Sequence, residues 1–221
     1  EASSFRAKYP LPVRLGYFNL HGVPDAPEWF GQADADHPYP GTDYPVALRP
    51  QDVRNSGYAP LIVFSEACYG AYILGKEVEQ ALALKFMNVG TQVVIGSTCT
   101  SYGAVTEPLI AADLLGYSFW KYLREGLPAG EALKQAKINL VSEMHKRQGY
   151  LDGEDQKTLI SFVLYGDPLS RLDVARRAAK EVLRPLQIPH IKTIHEEVDE
   201  LAEEALSPQT LEAVKQVVAK Y

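Results

Sequence analysis

The sequence predicts an α/β protein in which a mostly parallel sheet is covered by helices on both faces. Short apolar segments without polar alternation, typical of strands buried on both faces, alternate with segments that have helical spacing. The chain has 221 residues, of which 46% are hydrophobic and 23% charged. This composition is sufficient for one full-sized core and a smaller appendage.

The predicted elements follow one another in a regular order. Strands are predicted at residues 13–20, 61–65, 92–97 and 159–165. Helices are predicted at residues 69–89, 105–125 and 128–147, because apolar side chains recur there near every 3.6 residues. Gly126 suits the end of the second helix, and Pro128 suits the start of the third. Residues 22–60 form a long connection rich in Pro, Gly, Asp and Tyr, with one helical turn near residues 50–55.

The character of the sequence changes after residue 172. Residues 173–183 are basic with helical spacing, and the segments that follow predict two further helices, the last beginning at Ser207 and Pro208. We therefore expect an α/β domain over residues 1–172 and a helical appendage over residues 173–221. The appendage is expected either to dock on the domain or to bind a partner or regulator.

Charge and composition limit the partners. A net charge of −6 argues against nucleic acid or an anionic membrane as a partner, and it is compatible with basic substrates.

The sequence shows neither a disulfide framework nor a membrane span, since two cysteines cannot build such a framework. No apolar run reaches the roughly 18 residues of a membrane span. No signal peptide is visible, and because the first residue is Glu1 rather than Met, we expect the gene product to begin upstream.

A histidine and a cysteine follow two consecutive predicted strands. His21 and Gly22 follow the first strand, and Cys68 follows the second. Carboxyl ends of parallel strands form the ligand-binding edge of an α/β sheet, so neighbouring strands would bring His21 and Cys68 together there. An imidazole beside a thiol favours the nucleophilic thiolate and shuttles its proton. The amides of Gly22 and Cys68 could form an oxyanion hole, with Cys68 just ahead of a helix N-terminus.

Other interpretations of these residues remain open. Cys68 could be an inert buried thiol, and His21 a structural histidine. A metal site of His21, Cys68 and His37 matches no short ligand motif. Cys99, after the third strand, has no obvious base partner and is interpreted as structural. The long loop also carries Trp29, Asp25, Asp36 and His37, which are interpreted as ordinary loop residues, and lining of the cleft is the alternative.

Four segments together resemble the gingipain branch of the caspase-fold cysteine peptidases. They are NLHG at residue 19, SEACYGA at residue 65, VVIGSTCTSYG at residue 93 and LYGDPLSRL at residue 164. Clostripain, legumain and the caspases share the His–Gly and Ala–Cys pairs. In caspases the histidine lies about 50 residues before the cysteine, and the interval from His21 to Cys68 fits. The resemblance implies a caspase-like three-layer sandwich and a Cys–His dyad that acts through an acyl-enzyme.

The resemblance also implies a specificity pocket. Glu66 stands two residues before Cys68, and alternate residues of a strand point to the same side, so both are expected to face the cleft. The matching position in clostripain and caspases lines the pocket for the residue before the scissile bond, which implies cleavage after Arg or Lys. Ser97, Thr98 and Tyr102 match the segment that contacts substrate in gingipains, with Tyr102 as an aromatic wall. The alternatives are asparagine recognition, as in legumain, or a structural ion pair of Glu66.

The chain departs from the family pattern at its beginning. Caspase-like domains have two strands before the histidine strand, whereas only twelve residues precede Val13. We expect a processed enzyme whose N-terminal chain, from the same precursor, stays associated and carries the acidic residue that orients the histidine. No cofactor is expected to be required, with calcium implied by the resemblance alone, and the resemblance favours a secreted or cell-surface bacterial protein. Transpeptidation and a non-catalytic scaffold are the alternative functions.

Overall fold

The computed structural model describes residues 14–33, 41–54, 59–104 and 106–172. Six strands lie in these ranges: β1 (Leu15–Phe18), β2 (Trp29–Phe30), β3 (Val46–Leu48), β4 (Ile62–Ser65), β5 (Val93–Ser97) and β6 (Phe162–Gly166). Four of them form the central sheet in the order β1-β4-β5-β6, and β2 and β3 form a separate antiparallel hairpin. The pairs β1–β4 and β4–β5 are parallel, while β6 runs antiparallel to β5. The predicted mostly parallel sheet is confirmed.

Helices and the hairpin cover the two faces of this sheet. The helices are α1 (Leu82–Asn88), α2 (Ala111–Arg124), α3 (Ala129–Gln148) and α4 (Gly153–Ser161). On one face Ile62 and Phe64 pack with α2 and α3, and on the other Val63 packs with α1 and the hairpin. All four β4 residues are buried because neighbours cover both faces, which explains the uninterrupted apolar run in the sequence.

The helix predicted over residues 69–89 is largely wrong. Only Leu82–Asn88 is α-helical, after a single 3₁₀ turn at Val78–Gln80. The segment directly after Cys68 is irregular because the Tyr69 amide donates to the Cys99 carbonyl at 2.8 Å and the Ala71 amide donates to the Ser97 carbonyl at 2.8 Å. Donors that bond to the end of the neighbouring strand cannot form helical bonds, so Cys68 does not precede a helix N-terminus.

Two boundaries also differ from the prediction. Helix α2 begins at Ala111 rather than near residue 105, because Pro108 disfavours helical backbone in the residue before it. Helix α4 was not predicted, and it occupies residues 159–161 of the segment predicted as the last strand. The Asp152 side chain caps α4 by accepting bonds from the amides of Glu154 and Asp155, both at 2.9 Å.

The remaining predicted elements agree with the structure within a few residues. The helical turn near residue 50 is a 3₁₀ turn at Pro50–Asp52, and α3 begins directly after Pro128. The appendage predicted over residues 173–221 lies outside the described residues. In the described part of the chain, no helix is long and apolar enough to cross a membrane.

Candidate active site

The carboxyl ends of three parallel strands converge on one cleft. His21 follows β1, Cys68 follows β4, and Tyr102 follows β5, and these strands are neighbours in the sheet. The three residues line a common cleft of about 420 Å³. The strand order therefore brings His21 and Cys68 together at the edge where their positions in the sequence predict they should meet.

The backbone around Cys68 is held by the end of β5. The Ser101 amide donates to Cys68 Sγ at 3.2 Å, and Sγ faces the Ser101 carbonyl at 3.5 Å. Tyr69 adopts a left-handed backbone with φ of 57°, which turns the chain sharply after the cysteine. The thiol is thus presented on a tight turn that the neighbouring strand fixes by hydrogen bonds.

Gly22 lies directly against the cysteine backbone. A Cβ atom at Gly22 would come within 2.1 Å of the Cys68 carbonyl oxygen, a distance at which backbone would have to move. Within the described ranges, the amides of Gly22 and Cys68 have no hydrogen-bond acceptor. The structure therefore offers two free amide donors beside the thiol, and only glycine fits at position 22.

The β2–β3 hairpin holds His21. The His21 amide donates to the Phe30 carbonyl and the Phe30 amide donates back to the His21 carbonyl, both at 2.8 Å. The His21 side chain is exposed, with Nε2 3.2 Å from Gln32 Oε1 and the ring edge-on to Tyr44 at 5.0 Å between centroids. The imidazole thus has its polar and aromatic contacts on the hairpin.

Glu66 is buried at the base of the cleft. It is 7% exposed, and the Tyr17 hydroxyl donates to its Oε1 at 2.7 Å. Asp113, in the first turn of α2, lines the same cleft, and its carboxyl group is close enough to that of Glu66 to raise the pKa of Glu66. Helix α2 can approach this closely because Gly116 faces Glu66, where a Cβ would lie 2.8 Å from Oε1.

Burial and the second carboxyl group change the protonation of Glu66. Burial raises the pKa of Glu66, the neighbouring Asp113 carboxyl adds to the rise, and the hydrogen bond from the Tyr17 hydroxyl opposes it; together these effects raise the pKa to about 8. Burial and the neighbouring Glu66 also raise the pKa of Tyr17. Glu66 is therefore mostly protonated at neutral pH.

The three residues predicted after β5 have different positions. Tyr102 lines the cleft, and Lys157 Nζ lies over its ring at 5.2 Å from the centroid. Ser97 is fully buried, and its hydroxyl donates to the Cys99 carbonyl at 2.9 Å. The Thr98 hydroxyl donates to the Ser161 carbonyl at 3.2 Å. Contrary to the expectation from sequence, Ser97 and Thr98 do not line the cleft, because both are bonded inward.

The other candidate residues lie away from the cleft or outside the described residues. Trp29 is buried in the core against Phe18, and Asp25 is exposed and does not line the cleft. Cys99 is half-buried, and its carbonyl accepts from Tyr69. Asp36 and His37 lie outside the described residues. No group of three or more possible metal ligands occurs in the described ranges.

Two residues of the site were missed by the sequence reasoning. Asp113 had a detectable signal, since it is an isolated acid in the apolar run IAADLLG of a predicted buried helix. Gln32 had none, because an exposed glutamine in a long loop is ordinary and its contact with His21 depends on the hairpin register.

The fold and this cleft define the class of protein as a caspase-like cysteine peptidase. Residues 46–173, more than half of the chain, match the model of Peptidase family C25. The chain therefore belongs to peptidase family C25, the gingipain family, and is a cysteine peptidase that hydrolyses peptide bonds. The matched segment contains Cys68, Glu66 and Asp113 and begins after His21. No curated protein matches the chain significantly.

Proposed function

We propose that the protein is an endopeptidase in which Cys68 is the nucleophile and His21 the base, and that it cleaves after Arg or Lys. The observation that carries the proposal is the single cleft lined by the Cys68 thiol, the His21 imidazole, the buried Glu66 carboxyl and the half-buried Asp113 carboxyl. A nucleophile, a base and a pocket with carboxyl groups side by side are the requirements for cleaving a peptide after a cationic side chain.

The proposed reaction proceeds in two stages. His21 takes the thiol proton, and the Cys68 thiolate attacks the peptide carbonyl carbon. The free amides of Gly22 and Cys68 stabilise the resulting oxyanion. The imidazolium then protonates the leaving amine, and water, activated by His21, hydrolyses the acyl-enzyme. The Ser101 amide, which donates to Sγ, stabilises negative charge on the sulfur before attack. These steps use no cofactor, and a calcium requirement is expected from the family resemblance alone.

The carboxyl pair is proposed to select the residue before the scissile bond. A guanidinium group can bind a carboxylate through two parallel hydrogen bonds, and this pairing restores the charge stabilisation that Glu66 loses on burial. Tyr102 offers an aromatic face near the same cleft, although Lys157 already covers one side of the ring. We therefore assign guanidinium recognition chiefly to Glu66 and Asp113.

One observation favours a second specificity. Because the pKa of Glu66 is raised to about 8, the pocket at lower pH holds a neutral carboxyl group that can both donate and accept hydrogen bonds. Such a group suits the carboxamide of asparagine. An asparagine-specific peptidase or transpeptidase is therefore the alternative, and pH separates it from arginine specificity.

The experiment is a peptide-library cleavage profile of the wild type at pH 5.5, 7 and 8.5, with Cys68→Ala and Cys99→Ala as matched thiol variants. Cleavage after Arg or Lys that strengthens with pH, survives in Cys99→Ala and vanishes in Cys68→Ala is expected. Preference for Asn at acidic pH would favour the alternative. An added amine nucleophile distinguishes transpeptidation from hydrolysis by the products. Absence of all cleavage together with no electrophile labelling of Cys68 would indicate a non-catalytic scaffold.

We further propose that an N-terminal chain of the same precursor supplies two strands beside β1. In the described part of the molecule β1 pairs only with β4, and Leu15 and Tyr17 are 37% and 49% exposed. A cavity of about 550 Å³ beside Tyr17 includes Trp120, whose buried Nε1 has no partner within the described ranges. Open strand edges are normally covered, and an added strand would bring acceptors for this donor.

Native mass spectrometry of the protein isolated from its source tests this assembly. A second polypeptide that stays bound under native conditions and separates on denaturation is expected. An active preparation that contains one 221-residue chain and nothing else would refute it.

A further inference from the structure

We propose that Gln32 is the positioning residue of His21: its side-chain oxygen accepts the Nε2–H proton and leaves Nδ1 free to take the proton of Cys68. The inference rests on the proposed Cys68–His21 mechanism and adds a residue to it from the hairpin of this chain. Its geometric basis is the 3.2 Å contact between His21 Nε2 and Gln32 Oε1, in a cleft that both residues line.

The backbone register places Gln32 beside His21. His21 and Phe30 exchange two backbone hydrogen bonds of 2.8 Å, so they lie directly opposite each other as an antiparallel pair. Gln32 is two residues beyond Phe30 and therefore projects from the same face, diagonal to His21. Diagonal neighbours across antiparallel strands are within reach of long side chains.

The second strand of the hairpin fixes Gln32 from its other side. The flanking backbone bonds join Gly31 to Pro45 and Ala33 to Asp43, each at 2.8 Å. This register places Tyr44 opposite Gln32, and the Tyr44 ring meets the His21 ring edge-on at 5.0 Å. Gln32 and Tyr44 thus both contact the same imidazole, and together they restrict the tilt and the rotation of the ring.

The chemistry of the two groups selects one tautomer. A neutral imidazole carries one N–H, and a carbonyl oxygen can only accept, so the bond to Gln32 Oε1 requires the proton on Nε2. The lone pair then resides on Nδ1. When the Cys68 S–H bond breaks, its proton forms the Nδ1–H bond, which gives thiolate and imidazolium with no proton lost to solvent. The bond to Gln32 becomes charge-assisted in that state and strengthens.

A neutral amide differs from a carboxylate in a measurable way. Gln32 orients the ring but brings no negative charge, whereas a carboxylate at the same place would stabilise the imidazolium by attraction. Gln32→Glu should therefore form the thiolate at lower pH. The titratable groups that share the cleft or contact the ring are Tyr44, Glu66, Cys68, Tyr102 and Asp113.

The experiment compares four variants of the whole chain. Gln32→Met keeps the side-chain length and removes the acceptor, and Gln32→Glu supplies a charged acceptor. Gln51→Met and Gln51→Glu are the matched controls, because Gln51 is exposed, follows the same hairpin and does not line the cleft. The first readout is the rate of Cys68 alkylation by iodoacetamide between pH 5 and 10, followed by mass spectrometry with Cys99 as internal reference. The second is kcat and KM for peptide cleavage across the same range.

Gln32→Met is expected to move the midpoint of Cys68 alkylation to higher pH and to lower kcat by about 10- to 100-fold with KM within about twofold. Gln32→Glu is expected to restore most of kcat and to move the midpoint below that of the wild type. Alkylation and kcat profiles of Gln32→Met that match Gln51→Met, or of Gln32→Glu that match Gln51→Glu, would overturn the inference. If the alkylation profiles shift as expected while the wild type cleaves no peptide, the inference stands and the peptidase mechanism fails.

Discussion

The two halves of the cleft are built in different ways. On the cysteine side, Ser65 and Ala67 are fully buried, and the turn after Cys68 is bonded to the end of β5. On the histidine side, His21, Gln32 and Tyr44 are all exposed, and the His21 ring contacts both of the other side chains. The proposed nucleophile therefore follows a buried strand whose neighbours hold it, whereas the proposed base is exposed and its side chain contacts a surface hairpin.

Because of this difference, substitutions on the two sides of the cleft should affect stability and activity differently. A change on the cysteine side disturbs buried packing and backbone hydrogen bonds, so it should affect both the melting temperature and the rate. A change on the histidine side removes exposed contacts that contribute little to folding. Substitutions on that side should lower the rate while leaving the fold intact, and the following substitutions test the contrast.

The largest expected effect is loss of turnover in both Cys68→Ala and His21→Ala. Removing one member of a catalytic pair costs about as much as removing both, and we expect a decrease in kcat/KM on the order of 10⁴-fold or more for each. The melting temperature should fall by a few degrees in Cys68→Ala, which loses its contacts with Ser101, and by about 1 °C or less in His21→Ala. Calorimetry measures the melting temperature and peptide hydrolysis measures the rate. Equal decreases in melting temperature in Cys68→Ala and His21→Ala would contradict the difference between the two sides of the cleft.

Gly22→Ala tests the contact between the two halves. The added methyl group would lie 2.1 Å from the Cys68 carbonyl oxygen, so one of the two loops must move. A displacement of about 1 Å at a reacting group costs on the order of 100-fold in rate, and we expect that loss in kcat/KM together with a lower melting temperature.

Gly31→Ala is the matched control for this substitution. Its added methyl group would meet no atom closer than 3.8 Å, an ordinary contact, so kcat/KM and melting temperature should stay close to wild type. Similar behaviour of the two alanine variants would mean that the close approach of Gly22 to Cys68 does not matter for catalysis.

Glu66→Gln should change selectivity more than basal turnover. A charge-assisted pair with arginine contributes about 2–4 kcal/mol, so the preference for Arg over Gln before the scissile bond should fall by roughly 30- to 1,000-fold. Because the pKa of Glu66 is raised to about 8, the wild-type preference should rise as pH increases through that value, and the variant should lose this dependence. Matched peptides assayed at pH 6 and 9 measure both effects.

Asp113→Asn and Glu143→Gln complete this test. The Asp113 carboxyl lies beside Glu66 in the cleft, so Asp113→Asn should lose part of the Arg preference. Glu143 pairs with Arg147 on α3, and its substitution should leave the preference unchanged. A preference for Arg that persists in both Glu66→Gln and Asp113→Asn would assign selectivity to other residues.

The smallest expected effect is on the pH dependence of stability. The pKa of Glu66 is raised from 4.5 to about 8 in the folded state, so the folded protein binds more protons than the unfolded chain between these values. The free energy of unfolding should therefore decrease as pH rises from about 4.5 to 8, by a few kcal/mol at most, and level off above. Glu66→Gln should show a smaller decrease in melting temperature between pH 5 and 8 than the wild type. A steeper decrease in the variant would contradict this origin.

The sheet and the positions of its chemistry could be predicted from the sequence. Strands buried on both faces leave an uninterrupted apolar pattern, and the order of His21 and Cys68 along the chain places both at strand ends. Glu66 was identified because alternate positions of an extended chain share a side, and the structure places Glu66 and Cys68 in one cleft. These inferences depend on the local geometry of strands, which the spacing of residues along the chain determines.

The predicted features that differ from the structure depend on hydrogen bonds between residues far apart in the sequence. The segment after Cys68 has helical spacing, yet its amides bond to the end of β5, which no local pattern indicates. The sequence predicts that Ser97 contacts substrate, but in the structure its hydroxyl is hydrogen-bonded to Ser161, a residue 64 positions away. Gln32 and Asp113 enter the site through the hairpin register and the start of α2. Such contacts depend on tertiary packing, which a single sequence does not specify.

Tyr17 connects β1, the edge strand of the described sheet, to the proposed specificity pocket. Its backbone belongs to β1, its ring borders the cavity beside that strand, and its hydroxyl donates to Glu66 at 2.7 Å. Any strand that adds to β1 and any cation that reaches Glu66 therefore act on the same phenol. If occupation of the edge strengthens substrate binding by some factor, thermodynamic reciprocity requires substrate to strengthen occupation of the edge by the same factor. In the proposed two-chain enzyme, a cationic substrate would then act as a ligand that holds the two chains together.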